Sequence, residues 1–362
     1  MNQRDRRITS SLERWFDSNK RELAWRQVDA RTSRRNAWAS FVSEVMLQQT
    51  QVARVEERFG VFMERFPTPG AMACADEDAV VAMWSGMGYY RRARNLHRAA
   101  VEITERFGGR VPSDVAELRS LPGIGDYTAG AIASVVFGAR EPIVDANVAR
   151  VVLRLEGREL APSSREGREL VWRRARELVE SADRPGVFNE GMMELGALVC
   201  TNKSARCNEC PLRAECESVK RGIVGLIPVV LRKTRGEEVV HASVVMRDTR
   251  GRVLLERRDA SGLWGGMWQA PTVERASRPR GVVTVLRELK LAAESEGARR
   301  CSGFVHGTSS RDVRFVSWAL EGVDARRVRA RDGRGWFEVD QIADLGLGSP
   351  QLRVLRDAGV FD

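Results

Sequence analysis

Two groups of side chains in this 362-residue chain could do chemistry. Cys200, Cys207, Cys210 and Cys216 are separated by six, two and five residues, with Pro211 directly after the third. Such a set is a metal site or a disulfide knot. A chain of this size read as intracellular disfavours disulfides, and all-sulfur ligation leaves zinc or an iron–sulfur cluster. Zinc ribbons carry two close CxxC pairs, whereas only one pair is close here, which favours a single 4Fe-4S cubane. Cys74 and Cys301 stand alone and read as ordinary buried thiols.

The second group is a pair of carboxyls. Glu44 sits among Val42, Val45, Met46 and Leu47, where burial raises a carboxyl pKa and keeps a proton available. Taken alone, a Glu on an amphipathic helix is a solvated charge. Asp145 precedes Ala146-Asn147-Val148-Ala149-Arg150 and reads first as a helix N-cap. The capping amides hold such an Asp ionised.

The element that must position Asp145 is LPGIGDYTAGAIASVVFGAREPIVD, residues 121–145. Gly123 and Gly125 form a tight turn, because glycine alone reaches positive φ without steric cost. Ser113 caps a short helix before the turn, 128–137 reads as a helix of small residues, and Gly138 ends it. Unpaired amides at the start of the second helix attract phosphate. The product is a backbone clamp for nucleic acid beside a carboxylate.

Around that hairpin, helical periodicity covers 37–58, 79–83, 91–107, 148–155, 165–181 and 189–200, so 1–221 reads as an all-helical region. A polar, basic linker over 222–238 leads to β-like runs at 239–246, 252–257 and 313–320. With a helix near 282–293 and a terminal one opened by Ser349-Pro350, 239–362 reads as a smaller α+β domain. The chain carries 59 basic against 49 acidic residues, a formal charge of +10. The lysines are only Lys20, Lys203, Lys220, Lys233 and Lys290. Arg surfaces suit phosphate, although an Arg-biased proteome gives the same composition. No apolar run approaches the ~20 residues that span a bilayer, and the start, MNQRDRRITSSLERW, lacks an apolar signal core. The expectation is a soluble, cytoplasmic protein with no membrane partner.

Together the glycine hairpin, the Asp and the cysteine spacing resemble the endonuclease III superfamily of DNA glycosylases, and within it the MutY-type adenine DNA glycosylases. The resemblance covers nearly the whole chain and is carried by WASFVSEVMLQQT (38–50), GMGYYRRARNL (86–96) and VFNEGMMELGALVC (187–200). It implies a mainly α N-terminal region, with a helix-hairpin-helix in a six-helix barrel domain packed on a 4Fe-4S cluster domain. SGLWGGMW (261–268) resembles the start of the family's C-terminal Nudix-like domain. The implied enzyme is a nucleoid-associated monomer that removes adenine opposite 8-oxoguanine or guanine in duplex DNA.

Cleaving an N-glycosidic bond requires protonating the leaving base and stabilising an oxocarbenium-like sugar, which two carboxyls in unlike environments can do. On the resemblance, Glu44 is the general acid, Asp145 the electrostatic partner or transient nucleophile, and Asn147 its support. Tyr127 takes the place of the Schiff-base Lys of bifunctional relatives; no Lys lies between Lys20 and Lys203, so the enzyme is monofunctional. Trp25 and Arg26 match residues lining the adenine pocket, and Glu190 one that accepts from the adenine amino group. Gln49 and Tyr89 match residues that enter the duplex. Gly123 and Gly125 contact the DNA backbone, and the cysteine-bounded loop with Lys203, Arg206 and Arg213 contacts phosphate. Singly, Trp25, Tyr89 and Tyr127 read as core aromatics and Gln49 as surface; their joint placement reverses that.

The pattern departs from the family in one place. Its Phe-Ser-His element for 8-oxoguanine is met here by FVHGTSS (304–310), which keeps Ser309 but has Thr308 and Ser310 in place of the aromatic and the His. Stacking and a second donor are lost. Three other readings compete. A monofunctional thymine glycosylase acting on T·G pairs shares the hairpin, cluster and Asp, but Glu44, Glu190 and the C-terminal domain favour adenine. A Nudix pyrophosphohydrolase needs clustered glutamates for Mg²⁺, and Leu291 and Ala292 stand where its paired glutamates belong. Retention of Glu44 and Asp145 opposes a non-enzymatic mismatch-binding protein.

Overall fold

A computed structural model describes residues 2–28, 35–231, 238–259, 261–308, 311–328, 330 and 333–361. Ser309 and Ser310 lie outside them. The helices are α1 (Gln3–Asn19), α2 (Ala37–Leu47), α3 (Val52–Arg65), α4 (Pro69–Ala73), α5 (Glu77–Met83), α6 (Arg91–Phe107), α7 (Val115–Ser120), α8 (Asp126–Phe137), α9 (Ala146–Leu155), α10 (Arg165–Glu180), α11 (Pro185–Leu198), α12 (Glu217–Lys220), α13 (Val282–Glu288) and α14 (Ser349–Asp357). The strands are β1 (Val239–Asp248), β2 (Val253–Arg257), β3 (Trp268–Gln269), β4 (Thr272–Arg275), β5 (Arg299–Arg300), β6 (Phe304–Gly307), β7 (Asp312–Val323) and β8 (Arg334–Phe337). The chain divides into two compact units, Met1–Cys74 with Arg98–Arg232, and Ala75–His97 with Lys233–Asp362.

In the first unit the helix starts are set by short polar side chains. Asn36 accepts from the Ala39 amide, Thr68 from Ala71, Asp145 from Val148 and Ser164 from Gly167, the N-cap geometry that satisfies otherwise orphaned donors. Before the hairpin the cap is Asp114, not Ser113; its carboxylate accepts from Ala116 and Glu117. An ionised Asp one residue later reaches two amides and complements the helix dipole better than a hydroxyl. The expected helix over 37–58 is broken after Leu47, where Gln49 adopts φ 55°. Helix α8 packs against α2, α7 and α11, and α11 against α1 and α9. One apolar core joins Ile8 and Leu12 of α1, Val148 and Val152 of α9, Leu178 of α10, and Phe188 and Leu195 of α11.

Of the two hairpin glycines, only Gly123 requires its residue type, with φ 77°. Gly125 is the N-cap of α8 at φ −97°, with nothing within 4 Å of an added Cβ. Helix α8 ends as expected on Gly138 in the left-handed region at φ 75°.

The second unit is built on β1, whose buried residues run almost unbroken because both faces are covered. It pairs with β7 in parallel, from Val239 opposite Val313, and with β4 and β2 antiparallel. Ala242, Val244 and Met246 face the core that holds Val285 and Leu286 of α13. Val245 faces the core of Val354 and Leu355 of α14. Leu289 ends α13 earlier than the expected 282–293, and Gly348 rather than Ser349 is the N-cap of α14, without a side-chain bond. Cys301 is buried as expected, but Cys74 is exposed. No helix among the described residues is long and apolar enough to cross a membrane.

Candidate active site

A cavity of about 240 Å³ opens in the first unit, lined by Trp25, Arg26, Glu44, Tyr127, Asp145, Asn147 and Glu190 among others. Seven side chains singled out in the sequence thus share one space. Gln49 is exposed and not part of the lining, and Tyr89, 48% exposed at φ 48°, belongs to the second unit. The hairpin glycines lie outside the cavity, and Ser309 is outside the described residues.

Glu44 projects from α2, and its Oε2 is buried with no hydrogen-bond partner among the described residues. Burial, then the charge of Glu190, push its carboxyl up from 4.5 to about 7; the Tyr127 hydroxyl opposes the shift. Glu44 is therefore still partly protonated at neutral pH, where an ordinary carboxyl is ionised. Tyr127 enters from the first turn of α8 and donates to Met193 Sδ at 3.4 Å. Burial holds its phenol well above the ordinary value of 10, so it stays neutral.

Asp145 is both cap and wall. Its Oδ1 accepts from the Val148 amide at 2.7 Å, and Oδ2 accepts from Asn147 Nδ2 at 2.9 Å. These bonds favour the ionised form, as the sequence leads one to expect, but burial outweighs them and the net shift is upward from 3.8. Desolvation in the cavity wall costs the charge more than its donors return. Asn147 Oδ1 in turn accepts from Arg150 Nη2 at 2.9 Å, and Arg150 Nε donates to the Cys200 carbonyl at 2.8 Å.

An ionic lattice lines another part of the cavity. Arg26 Nε donates to Glu190 Oε1 at 3.0 Å and its Nη2 to Glu194 Oε2 at 3.1 Å. Arg35 grips Glu190 with both amino groups, at 3.0 and 2.6 Å, and Arg21 Nε donates to Glu194 at 2.8 Å. Burial alone would raise Glu194, but its bonds from Arg21 and Arg26 win and bring it to about 2. Trp25 packs edge-on to Phe59 beside this lattice. Sequence reasoning missed Arg21, Arg35 and Glu194. Glu194 was findable, four residues after Glu190 on the same face of an otherwise apolar helix; Arg35 sits in an arginine-rich run with no periodicity to mark it.

Among the described residues no group of three or more His, Cys, Asp or Glu side chains is arranged to hold a metal ion. Cys200, Cys207, Cys210 and Cys216 are free thiols, and three of them (Cys200, Cys210, Cys216) pack against one apolar core. Burial pushes the Cys210 thiol up to about 12 and raises Cys216, and the neighbouring cysteines add to both. Four sulfurs whose ionised forms repel one another form a donor set that a soft cation would relieve. Arg206 donates to the Leu198 carbonyl and pairs with Glu209, and Arg213 bonds Asn208, so both are engaged within the loop.

In the second unit Phe304 stacks on Phe315 with centroids 4.8 Å apart, and Thr308 Oγ1 donates to the Arg311 carbonyl. Leu291 is buried in the apolar core of β1 and α13, where a Mg²⁺-binding glutamate could not be satisfied.

Residues 42–177 match the family described as HhH-GPD superfamily base excision DNA repair protein, and 242–357 match a NUDIX domain. A human protein named adenine DNA glycosylase is 44% identical over 214 residues, covering 58% of this chain and 39% of its own length. One of the same name from Mycolicibacterium smegmatis is 39% identical over 249 residues, 68% of this chain and 79% of that protein. The solved structure of a thermostable thymine-DNA glycosylase shares the fold of the helical region, at TM-score 0.54 and 23% identity over 61% of this chain and 98% of that one. The chain spans only 39% to 59% of the length of the mammalian relatives it matches.

Proposed function

The chain belongs to the adenine DNA glycosylase family, and from that premise we propose that it hydrolyses the N-glycosidic bond of adenine opposite 8-oxoguanine or guanine in duplex DNA. The observation that carries this reading is the shared cavity of Glu44 and Asp145, one carboxyl holding its proton and the other held by Asn147 and the α9 amides. The everted base enters beside Trp25. Glu44 gives its proton to the adenine ring as the C1′–N9 bond breaks, and the electron pair leaves with the base. Asp145 faces the sugar and stabilises its positive charge; water adds to C1′ and returns a proton to the Glu44 carboxylate, leaving an abasic site. Asn147 keeps the Asp145 carboxylate aimed, and neutral Tyr127 offers no amine for strand cleavage.

Several further roles rest on the same reading. The α8 amides after Gly123 and Gly125 clamp a DNA phosphate, and Gln49 and Tyr89 each enter the duplex. Arg26 and Glu190 read the base, and Ser309 contributes to recognition of the opposing purine. Cys200, Cys207, Cys210 and Cys216 would hold a 4Fe-4S cluster, which when bound would cross-link the 200–216 loop to itself. The enzyme acts as a monomer on nucleoid DNA. A thymine glycosylase is the second reading, because the thymine-DNA glycosylase shares the fold.

The deciding experiment is a duplex panel carrying A opposite 8-oxoguanine, A opposite guanine and T opposite guanine, treated with alkali after incubation. Cleavage confined to the adenine strands is expected; cleavage of only the thymine strand would overturn the assignment.

A further inference from the structure

The cavity holds a polar group that the mechanism above does not use. Ser40 lies on α2 four residues before Glu44 and lines the same cavity. It is 5% exposed, and its Oγ has no hydrogen-bond partner among the described residues. A buried hydroxyl left unpaired is costly and uncommon unless a ligand completes it. The neighbouring Ser43 is already committed, donating to the Ser40 carbonyl at 2.9 Å. Residues four apart on a helix project from one face, with Cβ atoms about 5–6 Å apart. Ser40 Oγ and Glu44 Oε2, both buried and both unpartnered, therefore face the cavity side by side.

We propose that Ser40 is a specificity-determining contact of the base pocket, its hydroxyl accepting from the 6-amino group of the everted adenine while Glu44 protonates the adjacent ring nitrogen. The inference rests on the adenine reading of the site. Adenine presents a ring acceptor next to an amino donor, the complement of an acid proton next to a hydroxyl oxygen. The amino group carries two N–H donors; Glu190, which takes three hydrogen bonds from Arg26 and Arg35, keeps room for one of them, and the other needs a second acceptor. The remaining charged or titratable groups facing Glu44 are Arg26 ahead of α2, Tyr127 on α8 and Asp145 at the start of α9. Arg26 has no acceptor, Tyr127 is engaged with Met193 and Glu44, and Asp145 is bonded by Asn147 and Val148. The Ser40 hydroxyl is unengaged among the described residues.

The test compares single-turnover base release from duplexes carrying adenine or purine, which lacks the 6-amino group, opposite 8-oxoguanine. Ser40→Ala is expected to slow adenine release roughly tenfold, the scale of one hydrogen bond, and to leave purine release at the wild-type rate. Ser40→Thr, which keeps the hydroxyl, is expected to restore adenine release. Alanine suits a helix interior, so the thermal midpoint of Ser40→Ala should not fall. An unchanged adenine rate, an equal loss on both bases, or failure of Ser40→Thr to restore the rate would overturn the inference while leaving the adenine reading intact. A wild-type protein that releases neither base would overturn both.

Discussion

Gly196 packs directly against Asn147: a Cβ at position 196 would lie 2.6 Å from the Asn147 Cβ. Helices α11 and α9 can approach this closely only without a side chain there, and the approach sets the amide that donates to Asp145. Alanine is favoured over glycine in a helix by about 1 kcal/mol, so propensity alone predicts a gain. The clash instead predicts that Gly196→Ala displaces Asn147, destabilises by about 1–3 kcal/mol and lowers base release at least tenfold. Thermal melts and single-turnover assays check both; a more stable, fully active variant would show that the contact is loose.

Glu44 makes stability depend on pH in a definite direction. Its carboxyl titrates near 4.5 when unfolded and about 7 when folded, so the folded state holds the proton longer. No penalty exists below 4.5; it grows between 4.5 and 7 and is complete above, at up to about 3 kcal/mol. Glu44→Gln should therefore gain stability over wild type at pH 8 and not at pH 4. Urea titrations at the two values measure it, and equal differences at both would contradict a buried, proton-holding Glu44.

The same titration limits turnover. If the protonated form is required, single-turnover base release falls tenfold per pH unit above about 7. A profile that stays flat to pH 9 would remove Glu44 as the acid.

Much of this was legible in the sequence, and the exceptions share a cause. The amphipathic pattern over 91–107 matches α6 residue for residue, and Asp145 caps α9 as its neighbours indicate. The break at Gln49 was not legible, because glutamine marks no turn and its positive φ is imposed by tertiary context. Nor was the upward shift of Asp145, since its caps are local while its burial depends on helices distant in sequence. Ser40 shares a helix face with Glu44, but only the cavity shows that both line one space, and Arg35 carries no pattern.

Glu194 should behave in the opposite sense to Glu44. Held down to about 2 by Arg21 and Arg26 against the cost of burial, it contributes stability that is complete above 4.5 and lost as pH falls through about 2. Removing one partner from such a buried lattice costs about 3–5 kcal/mol. Glu194→Gln is expected to lower the melting temperature at pH 7 and to narrow the difference from wild type towards pH 2. A neutral effect at pH 7 would mean that the arginines find other partners.

The cysteine set is checked by composition. Protein purified without oxygen is expected to carry about four iron and four sulfide per chain, and Cys207→Ser to lose them. Bound zinc in place of iron would overturn the cluster assignment.

The central claim, that Glu44 and Asp145 serve one bond from one cavity, is tested most directly by single-turnover adenine release from an A·8-oxoguanine duplex. The comparison is wild type, Glu44→Gln and Asp145→Asn, with duplex binding measured in parallel. Release abolished in both variants, with binding retained, is the predicted result; a wild-type rate in either one would contradict the account.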